Sequence, residues 1–343
     1  MTTPNARPAA VAIDWYRTPV PPELFKQLHR RSDWLGFRQS LSFLGIAVFL
    51  GAATFWAQRH GHRVWTVLGL FAYGTVGHFY VNAMHELSHG TVFRTKFWNN
   101  FFTRLFSFLG WLHPDHFNAS HQRHHRYTLH PPDDLEVMLP THFSLYTFLV
   151  HLIVNPPFLR WMVYNTWNFA RGRFVGEWNE ICLSGDRPQL RQDIIRWARV
   201  MLAGHLAILV ISVALGYWII PVIVSGGPFV GGWLWFLCNN SQHTGMQDNV
   251  SDFRLCCRTV LPHPIVRFLY WNMNYHIEHH MYAAVPCYNL KRLHEAIHHA
   301  LSSCRGLVGA WREIHEVQRR QKEQPDYIPA ISLPAPVSEG PAA

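Results

Sequence analysis

The chain has 343 residues, of which 49% are apolar and only 15% are Asp, Glu, Lys or Arg, well under the roughly 25% charged fraction of an ordinary globular domain. That composition excludes an intrinsically disordered chain. A net charge of +9 does not indicate a nucleic-acid partner here, because the basic residues flank long uncharged runs and are not gathered on a domain of their own.

The first 36 residues carry charges throughout and hold no apolar core, so no cleaved signal peptide is expected and entry into a membrane falls to internal segments. Within them, residues 21–37 read as an amphipathic helix at the membrane surface, with Leu24, Phe25, Leu28 and Trp34 on one side. Two uncharged runs follow, between Arg38 and Arg59 and between Arg63 and Glu86, each long enough for a helix to cross hydrocarbon. The short link from Arg59 to Arg63 makes them a hairpin. Residues 137–159 are also uncharged, but they contain Pro140, His142, His151 and Asn155-Pro156-Pro157. That stretch is expected to lie along the interface or re-enter partway.

From Val200 to Gln247 no Asp, Glu, Lys or Arg occurs. The run is too long for one span and right for two, with a break near Pro221 or at Gly226-Gly227-Pro228. Two hairpins place 28 of the 30 Lys and Arg residues on one side, which by the positive-inside rule is cytoplasmic. The expected fold is therefore all-α and polytopic: four transmembrane helices in two hairpins with a cytoplasmic His-rich helical cap. Residues 1–36 form an N-terminal amphipathic region, 37–307 the membrane domain, and 308–343 the end of a C-terminal helix and a Pro- and Ala-rich tail expected to be disordered after Gln324. An arginine-rich composition points to a high-GC bacterial source and hence to the inner membrane.

Histidine is the outlier, at 24 residues, and histidine on that scale indicates metal or proton chemistry. The six cysteines contain no C-x-x-C pair, so neither an iron–sulfur cluster nor a zinc ribbon is indicated, and they read as reduced. Three clusters stand out: His85-Glu86-Leu87-Ser88-His89, His121-Gln122-Arg123-His124-His125 and His276-Ile277-Glu278-His279-His280. On a helix, residues three and four apart share a face, so each box aims two or three imidazoles at one point. His243 follows the fourth expected span. Nine histidines are too many for one ion and suit two. Imidazole takes iron, copper or zinc, so the ligand type leaves the metal open. His85 and His243 both begin where a span leaves the bilayer, which allows all nine to converge. His78 and His205, alone in apolar helices, read as packed residues. His294, His298 and His299 lie on a later amphipathic helix and read as a solvated face.

Residues 85–89 also spell H-E-x-x-H, the zinc protease motif, as do residues 294–298. That reading leaves the second and third boxes with nothing to do. A His-rich metal transporter would need ionisable residues in the middle of facing spans, where only His78 and His205 stand.

The boxes resemble those of the membrane fatty acid desaturase and hydroxylase superfamily. Supporting the resemblance, Arg126-Tyr127-Thr128 and Pro132-Asp133-Asp134 follow the second box, and Asn274-Tyr275 precedes the third. It covers residues 21–307. The resemblance implies a non-haem di-iron centre at the cytoplasmic end of the membrane domain, using dioxygen and two electrons, with His85, His89, His121, His124, His125, His243, His276, His279 and His280 as ligands. It also implies that Asn239 or Asn240 approaches an iron through water. Glu86, Asp133, Asp134 and Glu278 are candidates to accept a hydrogen bond from the far ring nitrogen of a ligating histidine. The implied reaction is desaturation of a lipid acyl chain, with hydroxylation or oxygenation of a lipid, carotenoid or small hydrocarbon by the same site as the alternative. No fused cytochrome domain is legible, so the electrons are expected from a separate ferredoxin, rubredoxin or cytochrome donor with its reductase, for which the basic loops suit an acidic partner. Trp111, Trp233 and Trp235 read either as liners of a substrate tunnel or as interfacial anchors.

Overall fold

The structure, a computed structural model, describes residues 12–185 and 187–334. Among them it is helical, with isolated bridges and no extended strand. Three helices are long and apolar enough to cross a membrane: Asp33–Arg59, Arg63–Ser88 and Pro188–Ala214. Their outward residues, such as Phe49, Val67 and Leu206, are exposed, as expected of faces meant for lipid and not for a protein core. Ser32 caps the first span by accepting from Leu35 N. That cap divides the amphipathic helix expected over residues 21–37, which is instead a short helix, Pro22–Leu28, followed by the start of the first span.

The segment expected to form a fourth span is broken. The chain turns at Gly216 (φ 75°), returns as Ile219–Phe229, and resumes as the helix Trp233–Asn240. Pro228 has no N–H to give, and the glycines before it let the second span approach closely. A Cβ at Gly74 would lie 2.1 Å from Val230 O and one at Gly227 2.4 Å from the Tyr73 ring. Thr75 Oγ1 donates to Gly231 O at 3.0 Å. In sequence order, residues 73–78 face residues 227–232, so the returning segment runs parallel to the second span and both head toward the same end of the molecule.

The interruption finds its partners in residues 153–155. Asn155 N donates to Phe229 O (3.1 Å) and Gly231 N to Ile153 O (2.9 Å). Two breakers, Asn155-Pro156-Pro157 and Gly226-Gly227-Pro228, thus satisfy each other's backbone groups, which irregular chain within a bilayer requires. Residues 137–159 contain the short helix Leu145–Leu152 and the first turn of Pro156–Ala170, neither of which is among the three membrane-length helices.

Segments near both ends of the described chain pack close to the histidine boxes and His243. Trp15 Nε1 donates to Arg126 O (2.9 Å) and Arg17 Nε to Met281 O (2.8 Å), tying the segment before the first span to the second and third boxes. Toward the other end, within the stretch after Gln324, Pro329 O accepts from Gln247 Nε2 at 2.8 Å. Composition hid this, because the contact is made by a backbone carbonyl that any residue supplies. Residues 1–11 and 335–343 of the two terminal regions lie outside the described residues.

The close approach at Gly74 is testable. Gly74→Ala meets two backbone carbonyls that cannot rotate away, and overpacking of this kind costs about 1–3 kcal/mol or more. Gly45, in the first span, has open space around its position. In detergent, Gly74→Ala should melt clearly below the wild type and Gly45→Ala at or above it.

Candidate metal centre

Each histidine is placed by an ordinary piece of helix. His85 lies in the last turn of the second span and His89 directly after it. Pro114 opens the helix Pro114–Tyr127, whose last two turns carry His121, His124 and His125. His276 opens the short helix His276–Met281 with His279 and His280. His243 follows the helix Trp233–Asn240, and its ring is fixed by Nδ1 donating to Cys256 O at 2.9 Å.

The nine form two groups: His85, His89, His121, His125 and His279, and His124, His243, His276 and His280. Within each, the donor nitrogens all lie within 4.8 Å of one another. Helix geometry explains the division. Adjacent residues point about 100° apart, whereas residues four apart nearly align. His121 and His125 therefore enter one group and His124 the other; His276 and His280 share a group and His279 leaves it. The two groups abut, with the His125 and His280 rings 4.4 Å apart.

The nitrogens approach each other in a way that neutral rings alone do not favour. His85 Nδ1 faces Glu86 Oε1 at 3.1 Å and His121 Nδ1 faces Glu136 Oε1 at 3.0 Å. With those protons on Nδ1, the two Nε2 atoms present bare lone pairs 2.6 Å apart. His276 Nε2 lies 2.8 Å from His243 Nε2, whose own proton is on Nδ1. His89 Nε2, buried in the same group, has no hydrogen-bond partner. A cation between lone pairs resolves all of these contacts. Metal–imidazole bonds of about 2.1 Å at right angles put neighbouring nitrogens about 3.0 Å apart, close to the 2.6–3.1 Å found among these pairs. The residues present fit bound metal.

Burial favours the uncharged ligand form. It pushes His243 down to about 3 and His89 to about 4, and with the neighbouring imidazoles it holds His121, His125, His276, His279 and His280 well below the ordinary histidine range. His124 is the exception. Burial pulls it down, but Asp134 and Glu136 beside it raise it overall. Asp134 is wholly buried and accepts from His124 Nδ1 (2.8 Å), Leu129 N (2.9 Å) and Glu136 N (2.9 Å). Burial pushes its carboxyl up, and these donors bring it below the usual range. Carboxylates that orient a ligating histidine are a common feature of metal sites.

The expected carboxylate partners are partly redistributed. Glu86 and Asp134 each face a box histidine. Asp133 does not; it pairs with Arg123 at 2.8 Å. Glu278 turns away from the groups and meets His294 Nδ1 and Thr259 Oγ1, so His294 is not part of a solvated face, although His298 and His299 are exposed. Helix Leu290–Ile297 presses its apolar face inward and carries His294 to the back of the third box. Glu136, which sequence reasoning passed over, closes the Asp133-Asp134-Leu135-Glu136 run; three carboxylates in four residues, beginning eight positions after the end of the second box, were the available signal. Asn239 and Asn240 end the helix one turn before His243, and Asn240 Nδ2 donates to Phe236 O.

His78 and His205 lie apart from both groups. His78 Nδ1 faces Gly74 O at 2.9 Å. His205 is sandwiched between the Phe108 and Trp111 rings, its nitrogens facing Ser225 Oγ and Phe108 O. Trp111 thus packs on His205, while Trp235 lines a small cavity of about 70 Å³ beside His78 and Tyr80. Trp233 is half-buried.

A family model described as "Fatty acid desaturase" matches residues 62–307, a range that contains all nine histidines. No curated protein matches the chain.

Two variants test the supporting shell. Asp134→Asn removes the anionic partner of His124, and loss of such a partner costs about 10–100-fold in metal affinity, to be read by metal content after dialysis against a chelator. His294→Ala leaves the buried Glu278 with Thr259 Oγ1 but without its imidazole partner, and removing one partner of a buried hydrogen bond costs about 1–3 kcal/mol. It should lower both melting temperature and metal content, the double variant Glu278→Gln/His294→Ala should recover much of each, and His298→Ala should leave both unchanged.

Proposed function

The chain belongs to the fatty acid desaturase family, whose members are lipid desaturases and hydroxylases, and on that premise we propose that it introduces a double bond into a lipid acyl chain. Two hydrogens leave the chain, and dioxygen is reduced to two waters with two electrons from a separate ferredoxin, rubredoxin or cytochrome donor and two protons from solvent. We further propose that the metals are two non-haem irons and that the nine grouped histidines are their ligands. The observation that carries this reading is the pair of abutting all-imidazole groups, each with bare nitrogens converging at metal-ligand spacing.

Bound iron would supply the oxidant that an unactivated C–H bond requires. The chain's own residues do the rest. Glu86, Glu136 and Asp134 hold the far nitrogens of His85, His121 and His124, which fixes the rings and strengthens them as donors. Burial favours the neutral form of the imidazoles other than His124 and excludes bulk water, protecting a reactive centre from side reactions. An apolar groove of about 470 Å³ runs among the spans, lined by residues such as Leu44, Val48, Tyr73, Leu105 and Ile223. It supports an acyl substrate, and Tyr80 on its wall lies a turn and a half before His85 on the same helix. Placement of the boxes at the end of the spans that bears most of the basic residues supports an inner-membrane enzyme with its site on the cytoplasmic side.

The zinc protease alternative fits less well. In that motif the glutamate is a free general base, whereas Glu86 is 1% exposed and engaged by His85, and the two motif histidines share their group with three others.

Metal analysis of protein purified from iron-57 medium, with Mössbauer spectroscopy, tests the proposal. The expected result is about two irons per chain in a coupled cluster, new double bonds in the lipids of an expressing host, and loss of both in His124→Ala. One zinc per chain without iron, or full activity in His124→Ala, overturns it.

A further inference from the structure

A second cavity, of about 590 Å³ and polar, opens directly on the metal centre. His89 forms part of its floor. Its walls bring together Arg31, Arg94, Lys96 and Arg104 with a single carboxylate, Asp115. Asp115 is already taken by Arg104 in a two-pronged pair, both contacts at 2.8 Å. Among the described residues Arg31, Arg94 and Lys96, all exposed, form no ion pair. The loop that carries Arg94 and Lys96 is nevertheless held in place, because Thr95 donates from both N (2.9 Å) and Oγ1 (2.7 Å) to Asp33 at the start of the first span. Arg94 and Lys96 stand either side of the pinned Thr95, and Arg31 comes from the separate segment before the first span. With Asp33 as a further carboxylate in electrostatic reach of Arg94, they form a preorganised anion receptor beside a metal ligand.

The surroundings indicate which anion. Asp33 begins a membrane-length helix, so the cavity lies at the level where that helix meets the head groups. Trp34, Phe97 and Phe101 beside it are 73%, 62% and 46% exposed, as aromatic residues are at a bilayer interface. The cavity is concave and of small-ligand size, whereas a protein partner needs a broad face of about 800 Å².

We propose that this cavity is the head-group subsite for an anionic acyl amphiphile, whose phosphate or carboxylate is held by Arg31, Arg94 and Lys96 while its chain passes the metal centre. The proposal rests on the lipid-oxidising reading above and deepens it by assigning the charge of the substrate's head.

The test is equilibrium binding, by calorimetry and native mass spectrometry, to the full-length protein in an uncharged maltoside detergent. The probes are palmitoyl lysophosphatidate, palmitate, palmitoyl lysophosphatidylcholine and inorganic phosphate. Lysophosphatidate and palmitate should bind at least about tenfold more tightly than the zwitterionic lipid of the same chain, the scale of a charge-assisted hydrogen bond. Arg94→Gln/Lys96→Gln should erase that preference, and Arg31→Gln, in a separate segment, should reduce it. Lys291→Gln, elsewhere on the surface, should keep it. Metal content equal to the wild type shows that the variants are folded.

Equal affinity for the charged and zwitterionic lysolipids, or an unchanged preference in both variants, overturns the proposal. Inorganic phosphate binding as tightly as lysophosphatidate also overturns it, in favour of a free-anion site. So does an acidic ferredoxin whose affinity falls in the variants while that of the lysolipids does not. None of these readouts uses iron, dioxygen or turnover. A protein that shows the head-group preference yet carries one zinc and no iron would refute the desaturase reading and leave the subsite standing.

Discussion

Bare imidazole nitrogens held about 3 Å apart repel unless a cation lies between them, and much of this molecule is arranged to gather nine histidines into two groups in which several nitrogens are 2.6–3.1 Å apart. The carboxylates of Glu86, Glu136 and Asp134 and the carbonyl of Cys256 take the protons on the far side of four rings, which leaves Nε2 as the atom that faces inward. Burial then keeps most of the rings uncharged. So much buried nitrogen is hard to satisfy within the protein: among the described residues His89 Nε2 and His276 Nδ1 have no hydrogen-bond partner, and His279 Nδ1 reaches only Glu86 Oε1, at 3.7 Å.

The membrane segments serve that convergence by direction more than by number. Three helices have the length of a span, and the fourth expected crossing is interrupted at Gly226-Gly227-Pro228. Because the interrupted segment runs alongside the second span in the same sense, His85 and His243 arrive at the same end. The break is tolerated because residues 153–155 supply its backbone partners, and the absence of side chains at Gly74 and Gly227 lets the strands of chain pack without a gap.

The histidines were legible because their spacing is a property of one helix at a time. All nine positions singled out in the sequence come together in the structure, and the first hairpin lies where two uncharged runs placed it. Features that depend on distant partners were not legible. Nothing local says that Glu278 faces His294 and not a box histidine, or that Pro329 lies under Gln247. The single amphipathic helix over residues 21–37 failed for a smaller reason: Ser32 is a better cap than a helix interior residue, and the hydrophobic pattern continued across it. The apolar run from Val200 to Gln247 holds the end of one membrane-length helix and a return in two pieces, Ile219–Phe229 and Trp233–Asn240, and the chain turns at Gly216, ahead of both breaks that its prolines and glycines suggested.

The division of the third box between the two groups bears on the order in which the protein is made. His279 belongs to one group and His276 and His280 to the other, so the two groups are completed within a residue of each other. By then every membrane-length helix has been synthesised and can insert. A chain halted before the third box lacks the last member of one group and two members of the other. Whatever metal the completed groups bind is therefore acquired late, after all three membrane-length helices have been made.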